Sequence, residues 1–154
     1  MKIFKSKHKL QKEIFNEKNI SFVPTMGGFH KGHISLIKKS KKLGGKTLVS
    51  IFVNPKQFNN KHDYINYPRN LKNDLNILKK LRVNYVYLPL EKEIFSFKPK
   101  NKIFLHKFSN KLCGKYRKNH FKGVLNVVNR LLELIQPKLI FLGMKDFQQL
   151  YLIK

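Results

Sequence analysis

Acidic residues, cysteine, arginine and long apolar runs are all scarce in this sequence of 154 residues. Its one cysteine, Cys113, cannot form an internal disulfide. No Cys/His cluster of zinc-ligand spacing accompanies it, so neither a disulfide framework nor a structural zinc is expected, and no dedicated metal site is assigned. No uninterrupted apolar stretch approaches the roughly 20 residues needed to cross a bilayer, and Met1-Lys2 does not lead into an apolar targeting segment. A soluble, cytoplasmic protein with no membrane contact is the expectation.

Asp and Glu number 8 against 33 Lys and Arg, for a formal net charge of +25. Such a balance ordinarily suggests nucleic-acid binding. Only Arg69, Arg82, Arg117 and Arg130 are arginines, however, and specific readers of bases and phosphates favour that residue. The lysines are scattered over every segment beside many Asn, Ile and Phe, residues that share A/T-rich codons, which points to base-composition drift. Non-specific adsorption to nucleic acid at low salt is expected, but no specific nucleic-acid partner.

What is present is enough apolar content, 42%, for a packed globule, and a length that makes one domain over residues 1–154 the default. The informative stretch runs from Pro24 to His33. It follows the apolar run Ile20, Phe22, Val23 and precedes Ile34, Leu36 and Ile37, which makes it a strand-turn-helix junction. Gly27 and Gly28 let the backbone approach a ligand closely, and unpaired N–H groups at the helix start suit a polyphosphate. His30 and His33 are spaced to share one face of the first helical turn, where both imidazoles reach one phosphate chain. An HxGH arrangement of this kind fits nucleotidyl transfer, in which donors already in place stabilise charge growing on the phosphates.

In chain order, residues 1–19 read as a short leading helix, and Ile20 to Val23 as the first strand. A helix from Lys31 to Leu43 stops at Gly44-Gly45. Thr47 to Val53 is a continuous β-branched and aromatic run of the kind found in parallel strands covered on both faces. Asn54 and Gln57 leave its carboxyl end, the edge at which open α/β sheets bind ligands. Leu71, Leu75, Leu78 and Leu81 follow at helical spacing, and Tyr85 to Leu88 is a third strand. Ile103 to Leu105 reads as a strand after a loop at Pro99 and Asn101, with His106 as a surface residue. Arg117 and His120 precede a strong helix that Pro137 ends. Leu139 to Leu142 is a further strand, from which Gly143, Met144, Lys145, Asp146 and Gln149 emerge. Lys145 offers a mobile positive charge, Asp146 an acceptor, and Gln149 a neutral donor and acceptor. The repetition gives an α/β fold, a Rossmann-like doubly wound parallel sheet. Because the first turn lacks GxGxxG, ATP is expected rather than a dinucleotide.

Four stretches together resemble the pantothenate synthetase family, the AMP-forming pantoate–β-alanine ligases among HxGH nucleotidyltransferases. They are Pro24-Thr25-Met26-Gly27 with His30-Lys31-Gly32-His33; Ser50 to Phe58 with Asp63 and Tyr67-Pro68-Arg69; Arg117 with His120 to Val124; and Gly143 with Lys145 to Gln149. The resemblance implies that pantoate attacks Mg-ATP to give pantoyl adenylate and pyrophosphate, and that β-alanine then takes the pantoyl group and releases AMP. It implies that Met26, Gly27, Gly28, Phe29, His30, Lys31, Gly32 and His33 hold ATP with Gly143, Met144, Lys145 and Asp146. His30, His33 and Lys145 are the implied catalytic residues, with His33 as proton donor and Asp146 on the ribose. Gln57 and Gln149 would bind pantoate, Gln57 also lying near β-alanine, and Asn54 and Arg117 would shape that pocket. A homodimer is implied as well. Gly28, Phe29, Met144 and Lys118 depart from the usual alanine, leucine, glutamate and proline. The family continues for over a hundred further residues, including a Ser-Ser-Arg-Asn stretch that closes over the phosphates and a small lid domain, so a truncated ligase is expected. A nucleotide-binding remnant, one half of a split enzyme, a nucleotidyltransferase with another acceptor such as phosphopantetheine, and a basic nucleic-acid-binding protein are the competing readings.

Overall fold

The computed structural model describes residues 1–96, 99–100 and 102–154. Its strands are β1 (Lys2–Phe4), β2 (Ile20–Thr25), β3 (Lys46–Ile51), β4 (Tyr85–Tyr87) and β5 (Leu139–Ile140). All pair in parallel, in the order β1, β4, β3, β2, β5. The helices are α1 (Lys7–Ile14), α2 (Lys31–Lys42), α3 (Lys61–Ile65), α4 (Leu71–Lys80), α5 (Glu91–Phe95), α6 (Cys113–Tyr116), α7 (His120–Ile135) and α8 (Phe147–Ile153). Short 3-10 turns occupy Pro55–Gln57, Lys107–Asn110 and Met144–Asp146.

Successive strand side chains point to opposite faces, so each registered row belongs to one layer. Phe22, Leu48 and Tyr85 form one row, packed against Leu10 and Ile14 of α1, Ile94 of α5, and Val127 and Leu131 of α7. The next row, Val23, Val49 and Val86, packs against Ile37 of α2 and Leu78 of α4. Burial of both faces explains why these strands read as continuous apolar runs rather than alternating ones. The doubly wound parallel sheet expected from the sequence is the architecture found.

Three expectations need correction. Residues 1–19 hold a strand as well as a helix: β1 precedes α1 and pairs with β4. Three residues at a sheet edge, with Ile3 still 44% exposed, carry too little periodicity to be read. Ile103 to Leu105 form no strand. Phe104 is 82% exposed, and an apolar triplet becomes a strand only where a ladder partner takes its backbone groups. The strand expected over Leu139 to Leu142 is only Leu139–Ile140, although Phe141 N still donates to Phe22 O at 2.9 Å. Of the loop expected at Pro99 and Asn101, Asn101 lies outside the described residues, and Pro99 has no regular structure. His106 is exposed, as expected, and its Nδ1 accepts from Phe108 N at 3.1 Å.

The long helix α7 matters to the site because Gly123 seats it on the turn Pro55–Gln57. A Cβ at Gly123 would lie 2.5 Å from Lys56 O and 2.8 Å from Lys56 C. Backbone atoms yield less readily than a flexible side chain. Gly123→Ala should therefore lose about 1–3 kcal/mol to overpacking, more than the gain of about 1 kcal/mol in helix propensity. Chemical denaturation measures the balance, and a more stable variant would refute the close seating.

Candidate active site

The chain order reverses between β2 and β5: β3 lies on one side of β2, and β5, which is far away in sequence, lies on the other. Connections leaving neighbouring strands there diverge and open a crevice at their carboxyl ends. The Pro24–His33 turn leaves β2 into that crevice, and the turn beginning at Gly143 leaves β5 into it.

The first turn is held by internal acceptors. Thr25 Oγ1 donates to Ser50 O at 2.7 Å and accepts from Gly27 N at 3.3 Å. Gly27 and Gly28 then adopt φ of 82° and 63°, a region costly for any residue with a Cβ. Asp74, from α4, accepts from Gly28 N and from Phe29 N, each at 3.1 Å. His30 is the N-cap of α2, and its Nδ1 accepts from Gly32 N at 3.0 Å. The expectation that the glycine turn and helix start offer unpaired donors is thus corrected. The N–H groups of Gly27, Gly28, Phe29 and Gly32 are engaged, because polar backbone groups in a partly buried turn are costly to leave unmade. The N–H groups of Lys31 and His33 have no partner among the described residues.

His30 and His33 do share one face, with ring centroids 4.2 Å apart. Phe29 packs edge-on against His33 at 5.5 Å. Burial lowers the basicity of His33 below its ordinary 6.5, the charge of His30 adds to that, and Asp74 and Asp146 oppose it. His33 Nδ1 is buried with no hydrogen-bond partner among the described residues. The ring is only half-buried, and its accessible edge, rather than the buried Nδ1, is what a ligand at this sheet edge could meet.

A second group comes from the end of β3. Gln57 Nε2 lies 3.0 Å from Met26 Sδ, so the two connections meet. Asn54 is 1% exposed. Its Nδ2 donates to Gln57 Oε1 and to Gly123 O, both at 3.1 Å, and its Oδ1 accepts from Lys56 N at 3.0 Å. It supports Gln57 from beneath rather than opening to a ligand. His120, at the start of α7, is buried, and its Nδ1 donates to Gln57 O at 2.8 Å. A carbonyl can only accept, which places the ring proton on Nδ1. Burial is also the main cause of the lowered basicity of His120.

Beyond β5, Met144, Lys145 and Asp146 are exposed, and the space around Gly143 is open. Asp146 is the N-cap of α8 yet makes no side-chain cap hydrogen bond. Its charge acts on both His33 and His120, raising the basicity of each. Gln149 is half-buried, and its side chain has no hydrogen bond among the described residues. Its neighbour Gln148 is buried and structural, donating to Phe108 O and Lys111 O, both at 2.7 Å, and so tying residues 107–111 to α8. Arg117 is exposed, close enough for its charge to act on His120.

Sequence reasoning missed two residues. His120 stands out in the sequence only as part of a motif, and its bond to a carbonyl leaves no mark there. Asp74 had a signal, since it interrupts the apolar stripe of Leu71, Leu75 and Leu78 with a carboxylate that ends 2% exposed. No group of three or more His, Cys, Asp or Glu able to hold a metal occurs among the described residues.

A family model described as Pantoate-beta-alanine ligase matches residues 2–154. The chain belongs to the pantoate–β-alanine ligase family. It is 45% identical to a pantothenate synthetase of Francisella tularensis subsp. novicida (strain U112), over 97% of this chain and 58% of that protein. It is 44% identical to the pantothenate synthetase of Pseudothermotoga lettingae, over 95% of this chain and 52% of that protein. Among solved structures, the pantoate–β-alanine ligase of Francisella tularensis complexed with β-γ ATP and β-alanine is 42% identical, with a TM-score of 0.92, over 99% of this chain and 60% of that one. The pantothenate synthetase of Thermus thermophilus superposes with a TM-score of 0.91 at 32% identity, over 99% of this chain and 55% of that one. The chain therefore spans little more than half the length of the ligases it matches.

The two lowered histidines have a common consequence. In each, the unfolded state takes up a proton more readily than the folded state, so their contribution to stability is present above the ordinary 6.5 and is lost as pH falls through the lower folded values. NMR titration should find both rings titrating below 6.5, and denaturant unfolding should show stability declining over the same interval. Titration of either ring at or above the ordinary value would refute its burial.

Proposed function

We propose that this chain carries the nucleotide and pantoate sites of an ATP-dependent ligase that condenses pantoate with β-alanine. The observation that carries the reading is the convergence, at one sheet edge, of neutral His33, the Gln57–Met26 contact and Asp146. In the first step a pantoate carboxylate oxygen attacks the α-phosphorus of Mg-ATP, the bond to the β-phosphate bridging oxygen breaks, and pyrophosphate leaves. In the second, the β-alanine amine attacks the acyl carbon, the acyl–oxygen bond breaks, AMP leaves and the amine loses a proton.

His33, as a neutral imidazole, donates a hydrogen bond to the phosphates as charge grows on them, while His30 holds the helix start. Met26 to His33 and Gly143 to Asp146 flank the nucleotide, and the free N–H groups of Lys31 and His33 are its backbone donors. Lys145 meets growing phosphate charge, and the uncapped Asp146 carboxylate accepts from the ribose. Gln57 and Gln149 bind pantoate, with Gln57 near β-alanine; Asn54 holds Gln57 in place and Arg117 edges the pocket. Supporting the nucleotide assignment are the half-buried His33 ring beside the turn and the open space at Gly28 and Gly143. Mg2+ would arrive with the nucleotide, held chiefly by phosphate oxygens, as such ions usually are. The Francisella ligase solved with β-γ ATP and β-alanine supports both ligands here. A cytoplasmic homodimer that engages no specific nucleic acid completes the reading.

The test is pantoate-dependent exchange of pyrophosphate into ATP by the purified 154-residue chain. Exchange is expected, and His33→Ala should lower it about 10²- to 10³-fold with the fold intact. Gln149→Ala should raise the KM for pantoate far more than that for ATP. ATP binding without exchange would make the chain a nucleotide-binding module instead, and unchanged exchange in His33→Ala would remove that residue from the chemistry.

A further inference from the structure

We propose that Asp74 is a positioning residue of the nucleotide site: its carboxylate occupies the anion-binding nest formed by Gly28 N and Phe29 N, and so sets the turn before a nucleotide arrives. The inference rests on the reading that this turn holds ATP. Successive N–H groups following residues of positive φ form a concavity that ordinarily receives a phosphate or carboxylate. Here Gly27 and Gly28 have that conformation, and the two N–H groups converge on the separate oxygens of one carboxylate. Asp74 is 2% exposed, and no cation lies within ion-pair distance of it among the described residues. The backbone donors are therefore what make its burial tolerable.

The fit is tight on the far side as well. A Cβ at Gly27 would stand 2.6 Å from Asp74 Oδ2, so the carboxylate fills the space a side chain would need. Phe29, whose N–H Asp74 holds, packs on His33, and His30 caps the helix that carries His33. One carboxylate on α4 thereby fixes the turn, the cap and the imidazole. Phosphate contacts are left to the N–H groups of Lys31 and His33, one turn further along. The charge of Asp74 also acts on His33, opposing the effect of burial.

Amide hydrogen exchange and Mg-ATP titration of the whole chain test this together. In the unaltered protein Gly28 and Phe29 amides should be protected. In Asp74→Ala they should exchange about tenfold faster or more, with core amides such as Val23 and Val49 unchanged, and Mg-ATP affinity should fall about tenfold, as for loss of two charge-assisted hydrogen bonds. Sodium formate, which can re-enter the vacated nest, should restore both, whereas sodium chloride at equal ionic strength should not. Asp74→Asn is the milder variant should alanine unfold the chain. Its amide can accept from only one of the two N–H groups, so one should stay protected and the other be released. Unaltered protection in both variants, or affinity that falls without recovery in formate, would overturn the proposal. Accelerated exchange with no Mg-ATP binding even by the unaltered protein would instead overturn the nucleotide reading and leave the hold of Asp74 on the turn standing.

Discussion

Parallel pairing of every strand is the constraint on which the site depends. It sends the carboxyl ends of β2, β3 and β5 to one edge, so three connections far apart in sequence emerge side by side. It also demands that both faces of the sheet be covered, which α1, α5 and α7 do on one side and α2 and α4 on the other. The crevice between β2 and β5 exists because the order reverses there.

Within that crevice the chain meets most of its polar requirements from its own side chains. Thr25, Asp74 and His30 satisfy the turn after β2, while Asn54 and His120 fix the turn after β3. Among the described residues, the groups without a protein hydrogen-bond partner include the buried His33 Nδ1, Ser50 Oγ and Ser109 Oγ and the side chain of Gln149, and Asp146 makes no cap bond to α8.

The parts legible in the sequence were those with a local cause. Residues 46–51 form a buried strand because a β-branched run reads as one, and α2 stops where Gly44 and Gly45 can take positive φ. The histidine spacing was legible because 3.6 residues per turn fixes which face they share. What escaped depends on partners distant in sequence. β1 is a strand only because β4 offers it a ladder, and Ile103 to Leu105, with better β-formers, is not one because nothing does. In the same way, the availability of the N–H groups in the glycine turn was decided by Asp74, 45 residues beyond Phe29. A local reading counts donors but not the acceptors that tertiary structure brings to them.

Charge shows the same asymmetry. With 33 basic residues spread over the chain, the position of any one lysine says little, and Lys145 is marked only by the strand that precedes it. The 8 acidic residues are another matter. Glu17 accepts from the Tyr85 hydroxyl, Glu93 takes Lys7 N and the Tyr87 hydroxyl, and Glu133 accepts from Asn129 and sits beside Arg130. Asp74 and Asp146, a quarter of the total, stand at the crevice and act on His33. They offset, at one point, the burial of His33 and the charge of His30, which lower the basicity of His33. Scarcity makes the acidic residue the informative one, and a strongly basic sequence is best read for function from the positions of its carboxylates.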